Sequence, residues 1–185
     1  MNTTRYARRC AGMMIAVIAL SASAAAAGEN QSDATVRVKR GFAIAPVTLN
    51  FAMRNRERVG LGSYLVNSAG CNDCHTHPSY AAGGNPYANQ PEQVNEAQYL
   101  SGGRTFGPFV APNLTPDASG KPAGLTLAEF VTAMRTGQTP DNPPGVVLQV
   151  MPWPTFGKMT DDDLAAVYQY LRAIPSLPDN PAPGP

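Results

Sequence analysis

The sequence predicts an all-α domain of three to five helices joined by long loops. Apolar residues recur at three- and four-residue spacing over 56–69, 127–136 and 161–173, and no segment alternates with the period of a strand. Explicit start and stop residues bracket the last two segments. Between the helices lie Gly-, Pro- and Asn-rich stretches that are too long for a compact domain unless something besides side chains fills the space they enclose.

Residues 1–27 read as an export signal: Arg5, Arg8 and Arg9 precede an apolar run from Ala11 to Leu20, and Ser23-Ala24-Ala25 and Ala25-Ala26-Ala27 both fit a small-x-small cleavage site. The run is short for a membrane span. Cleavage near Gly28 is expected, and an uncleaved signal would hold the chain at a membrane surface. Removing the signal takes away three arginines and Cys10, leaving 11 basic against 13 acidic residues over about 158 residues. That is one domain's worth of chain, mildly acidic, without the basic stripe that nucleic acid requires.

Residues 28–55 form an N-terminal arm, apolar from Gly41 to Phe51. Pro46 argues against a mid-helix or a central strand, so the arm is expected to be extended. The first helix carries Leu61, Tyr64 and Leu65 and ends at Gly70. Gly60 and Gly62 lower its propensity by about 1 kcal/mol each, which is tolerable where a second helix crosses closely. The 127–136 helix has Thr126 and Glu129 as a capping box, Leu125 and Phe130 as a hydrophobic staple, and Gly137 as its stop. Its expected buried stripe is Leu127, Phe130, Val131 and Met134. Thr160 caps the last helix, three aspartates at 161–163 complement its dipole, and Pro175 ends it. The tail over 175–185 holds five prolines and is expected to be disordered or extended.

Cys71-Asn72-Asp73-Cys74-His75 organises the rest. Two cysteines two residues apart, followed at once by histidine, are the attachment signature of a c-type haem. Each thiol adds to one vinyl group, and the following histidine can bind the iron. On a helical turn, positions 71, 74 and 75 share a face. Zinc would need a fourth ligand, and only His77 is near, too close in sequence to complete a tetrahedron comfortably. A Cys71–Cys74 disulfide of thioredoxin type lacks the surrounding βαβ pattern. The expected cofactor is therefore one covalent haem c, held by Cys71 and Cys74, with His75 as axial ligand and the long loops wrapped around it.

The iron's other side calls for a sulfur or an open position. Met134 lies on an apolar helical stripe, and Met159 sits where it would staple Leu164. Met53 lies in the arm. Met151 stands in a loop stiffened by Pro152 and Pro154 and is the expected distal ligand, with Met159 second; Trp153, beside it, is a candidate haem contact.

This pattern resembles a monohaem class I cytochrome c over residues 56–174. The likeness rests on the Gly60…Tyr64 helix leading into the haem motif, on Met151-Pro152, and on the closing helix from Thr160 to Leu171. Asn113-Leu-Thr-Pro-Asp117 and Met151-Pro-Trp are also similar to haem modules of periplasmic dehydrogenase cytochrome subunits. The resemblance implies a crossing of the first and last helices, with Gly60 against Tyr170-Leu171. It also implies a proline carbonyl accepting from the Nδ1–H of the proximal histidine, for which Pro86 is the candidate and Pro78 the next. It implies a periplasmic electron carrier, not an enzyme, with a redox partner protein such as a dehydrogenase or terminal oxidase. The competing readings are a haem-containing enzyme subunit and a gas-binding module with a labile distal ligand. A dihaem peroxidase would need a second attachment motif, and the sequence has one.

Overall fold

The computed structural model describes residues 33–185, and the expected export signal lies outside them. The chain divides into two units, Met1–Val36 and Arg37–Pro185. The described part of the first, 33–36, is helical. The second is mostly helical: α1 reaches residue 44, followed by α2 at Arg56–Ser68, α3 at Cys71–His75, α4 at Leu127–Thr136, α5 at Trp153–Phe156 and α6 at Asp161–Leu171. Six helical segments among the described residues exceed the expected three to five because α3 and α5 are only five and four residues long. A two-stranded hairpin, β1 at Thr105–Phe106 and β2 at Phe109–Val110, lies in the long loop.

The arm departs from expectation, since 33–44 is helical and only the segment beyond it is extended. Pro46 marks the stop, two residues past the helix. The cause is tertiary. A Cβ on Gly41 would sit 2.8 Å from the Tyr64 nitrogen and closer still to the Gly60 carbonyl oxygen, so the two backbones nearly touch. The Ser63 hydroxyl donates to the Gly41 carbonyl at 2.7 Å, and the Phe42 ring meets Phe51 edge-on at 5.9 Å. Docking of this kind overrides a weak local propensity.

α2 also crosses α6, through Gly62 instead of Gly60. A Cβ on Gly62 would lie 2.7 Å from the Tyr170 Cβ and 2.6 Å from the Ala166 carbonyl carbon. Residues two apart on a helix point about 200° apart, so Gly60 faces α1, against Val38 and Phe42, while Gly62 faces α6. Val59, Val66, Leu164, Tyr170 and Leu171, each at most 2 % exposed, fill the core around this crossing.

The caps stand as read. Thr126 and Glu129 form the reciprocal box, Gly137 closes α4 at φ 72°, and Thr160 caps α6 in a second box with Asp163. Leu127 is exposed instead of buried, and Ala133 takes its place beside Phe130 and Met134, because α4 is rolled toward α5 and α6. The long loop contributes to the core directly: Tyr99 and Leu100 are fully buried, and the Tyr99 hydroxyl donates to Asn67 at 2.6 Å and lies 3.0 Å from the Tyr170 hydroxyl. The proline-rich tail is extended and tied down. Gly184 bridges Arg104, and Ser176 and Leu177 bond to the 113–116 segment. Among the described residues, no helix is long and apolar enough to cross a membrane.

Candidate functional site

α2 ends at Ser68, and Gly70 at φ 76° reverses the chain into α3. This short turn presents Cys71, Cys74 and His75 to one cavity of about 350 Å³. Ligand pockets of globular proteins commonly start at about this size. Val66 and Ala69 of α2 and Val167 and Leu171 of α6 form one wall. Phe130 and Met134 of α4, with Phe156 of α5, form another. The hairpin and the loops 111–114 and 148–152 close it. Among the described residues lining it, Asp73 is the one charged side chain besides the titratable thiols and imidazole of the motif.

The donor set is specific. Cys71 and Cys74 are unpaired. Burial pushes the Cys71 thiol up to about 12 and also raises Cys74, against the pull of Arg104. Among the described residues no group of three or more His, Cys, Asp or Glu side chains is placed to hold a metal ion. His75 is 8 % exposed, and burial lowers its pKa, so the ring is neutral. Its Nδ1 lies 2.8 Å from the Pro112 carbonyl oxygen. A carbonyl can only accept, so Nδ1 carries the proton and Nε2 keeps a free lone pair. Two cysteine sulfurs and one imidazole lone pair at the edge of an apolar cavity fit a c-type haem.

The acceptor is Pro112, where the sequence reading expects Pro86. Pro86 begins a short 3₁₀ turn capped by Asn85, and its carbonyl is taken by the Asn89 N–H. Pro78 instead accepts from the Asn95 side chain at 3.0 Å. Pro112 reaches His75 through an intervening strand of loop. The Gly102 N–H donates to the His75 carbonyl at 2.7 Å and the Gly103 N–H to Ala111 at 3.0 Å. Gly102 sits at φ 80°, and a Cβ there would be 2.7 Å from the Pro112 carbonyl carbon. Only glycine allows that approach. The sequence shows the glycine pair and the proline, but nothing local ties them to a histidine 37 residues away.

Two methionines line the cavity, Met151 and Met134. Met134 is 6 % exposed and packed in the core. Met151 is part-buried in a loop hung from Gly137, which accepts from the Leu148 N–H at 2.8 Å. Met159 packs on the core without lining the cavity, and Met53 is fully exposed. Trp153 does not line the cavity either, in contrast to the sequence reading. It lies behind the Met151 loop, where its indole N–H donates to the Leu148 carbonyl at 3.1 Å and its ring covers Gly137. A Cβ on Gly137 would be 2.5 Å from the indole nitrogen, so the α4 stop residue doubles as the seat of the tryptophan.

Comparison with known proteins bears on this cavity. The cytochrome c subunit of the quinone alcohol dehydrogenase of Gluconobacter oxydans is 31 % identical over 110 residues, 60 % of this chain and 20 % of that protein. The fructose dehydrogenase cytochrome subunit of Gluconobacter japonicus is 26 % identical over 136 residues, 71 % of this chain and 24 % of its own. The chain is similar to dehydrogenase-associated cytochromes c. A dihaem cytochrome c-type protein of Cereibacter sphaeroides is 29 % identical over 119 residues, covering 62 % of this chain and 35 % of that one. The chain thus spans a fifth to about a third of these cytochromes. No family model and no solved structure matches it.

Proposed function

We propose that this chain is an exported one-electron carrier with a class I cytochrome c fold and a single haem c, and that it serves a dehydrogenase as electron acceptor. The observation that carries the reading is the His75 ring, turned by the Pro112 carbonyl so that Nε2 is free, beside the Cys71 and Cys74 sulfurs on the same cavity. Cys71 and Cys74 would hold the haem through thioethers, with His75 as proximal ligand and Met151 as distal ligand. Bound there, the group supplies reversible one-electron chemistry at its iron. The apolar walls exclude water, and the Met151 thioether would favour the reduced state. The similarity to dehydrogenase cytochrome subunits supports a dehydrogenase as partner, with a terminal oxidase the other class of partner. Phe109, Val110 and Val150 line the cavity and are 46 %, 53 % and 41 % exposed, an apolar rim where such a partner would approach. The export signal over 1–27 would deliver the chain to the periplasm, where haem attachment can take place.

Expression with an intact export route, followed by a denaturing gel stained for haem, tests the reading. Wild type should carry covalent haem, and Cys71→Ala or Cys74→Ala should lose a thioether and shift the reduced pyridine spectrum. A wild-type band without haem refutes the proposal. Immediate, tight carbon monoxide binding by the reduced protein would replace the carrier with a gas-binding or enzymatic haem module.

A further inference from the structure

The C-terminal segment takes no part in the cavity, yet it is bonded to the element that orients His75. Pro112 owes its place to the residues on either side of it. Ala111 is paired with Arg104 and Gly103. Asn113 uses every hydrogen-bonding group of its side chain. Its Oδ1 accepts from the Thr115 N–H and hydroxyl, both at 2.8 Å. Its Nδ2 donates to the Leu177 carbonyl at 2.9 Å and to the Asp179 carboxylate at 3.2 Å. The Leu177 N–H donates in turn to the Thr115 hydroxyl at 3.1 Å. Further along, Asn180 donates to the carbonyls of His77 and of Gly102, the latter at 3.4 Å, and Gly184 exchanges bonds with Gly103 and Thr105 at 2.9 and 2.8 Å. The tail therefore grips both strands of loop that stand behind His75.

We infer that the segment Ser176–Gly184 tunes the proximal ligand through Asn113, which acts as a positioning residue: it fixes the Pro112 carbonyl on the His75 Nδ1–H and so sets the donor strength of Nε2. The inference rests on the haem reading above. A carbonyl held on Nδ1–H makes the imidazole a better donor, which favours the ferric state. Releasing the carbonyl makes it a poorer donor and raises the potential. A proline-rich tail suits the task, because its restricted backbone loses little entropy on being tied down.

Asn113→Asp separates the two halves of the network. It keeps an oxygen for Thr115 but loses both donors to the tail and places a second carboxylate beside Asp179. The holo protein is titrated spectroelectrochemically, and exchange of the His75 Nδ1–H is followed by NMR in the ferrous state. Asn113→Asp should raise the potential and speed that exchange about tenfold, the loss of roughly one hydrogen bond's protection. A chain ending at Pro175 should do the same, and the two changes together should do no more than either alone, as for groups acting in one network. Asp179→Asn should behave as wild type, since an amide oxygen still accepts. A merely structural tail would lower the unfolding temperature and leave potential and exchange untouched. Wild-type potential and exchange in haem-loaded Asn113→Asp overturn the inference, whether or not the shortened chain folds, as do additive effects. Absence of covalent haem from wild type overturns the reading beneath it as well.

Discussion

Gly62→Ala probes the architecture at its tightest point. The new methyl would sit 2.6 Å from the Ala166 carbonyl carbon and 2.7 Å from the Tyr170 Cβ, and nearer still to the Ala166 oxygen. Ordinary contacts between such atoms are about 3.5 Å or more, so α2 and α6 must part by the order of 1 Å. Both partners are helix backbone or the first side-chain atom, and neither can rotate away. Overpacking of this kind costs about 1–3 kcal/mol before backbone movement. The parted helices also loosen Val59, Val66 and Tyr170, now at most 1 % exposed. Against this stands a gain of about 1 kcal/mol in helix propensity. A net loss of up to about 2 kcal/mol is expected before backbone movement adds to it, or a fall of up to roughly 8 °C in unfolding temperature for a domain of this size. Gly60→Ala is the matched control. Its methyl would meet the Phe42 ring and a Val38 methyl, each at 2.8 Å, and these are side-chain atoms that can shift. Its cost should be the smaller of the two. Thermal unfolding of the holo protein by circular dichroism decides the matter. If Gly62→Ala melts at or above Gly60→Ala, the crossing is not where the strain lies and the reasoning fails.

Met151→Ala should abolish the weak red-region band of methionine–iron(III) ligation, lower the potential and admit carbon monoxide, whereas Met134→Ala should keep the band and lose about 2–5 kcal/mol of stability as a core truncation; the reverse pattern in absorption spectra would exchange their roles. Trp153→Phe removes the indole donor to Leu148 and should cost about 1 kcal/mol while raising the rate of carbon monoxide entry, measured by stopped flow, since the Met151 loop loses a tether. Thr126→Ala should destabilise most at neutral pH. The Thr126 hydroxyl and N–H hold the Glu129 carboxyl below its ordinary value. That contribution is present above the unfolded carboxylate pKa of about 4.3 and lost as pH falls through the folded one, so the gap between variant and wild type should close in acid. Chemical unfolding at a series of pH values checks it, and a gap that widens below pH 4 contradicts the assignment.

What the sequence made legible is local. The haem motif is five contiguous residues whose spacing is set by covalent chemistry, and the capping boxes at Thr126 and Thr160 operate within one helical turn. What it hid is long-range. α1 carries β-branched residues and a glycine, and the contacts that dock it, with the Gly60 backbone and with Ser63, come from residues about twenty positions away. Choosing between Gly60 and Gly62 required knowing which face meets α6. Pro86 and Pro78 are the acceptors the sequence suggests, and Pro112 is set apart only by lying beside Gly102 in space. Trp153 reads as a wall of the cavity from its place next to Met151, yet the α5 turn directs it to the outer side of the loop.

The two faces of the cavity are held in different ways, and this bears on function. Behind His75 stand successive layers of hydrogen-bonded backbone, from Thr76 with Gly102, through Gly103 with Ala111, to the tail at Gly184. Behind Met151 stand two principal tethers, Leu148 N–H to Gly137 and Trp153 to the Leu148 carbonyl. Local opening follows the density of such bonds. The His75 side is thus the more densely bonded, and on the haem reading proposed above disturbing it should move the potential. The Met151 side has fewer such bonds, and disturbing it should move ligand access. Asn113→Asp removes two side-chain hydrogen bonds and Trp153→Phe one, so it is the kind of effect, a shifted potential against altered ligand access, and not its size, that measures the architecture.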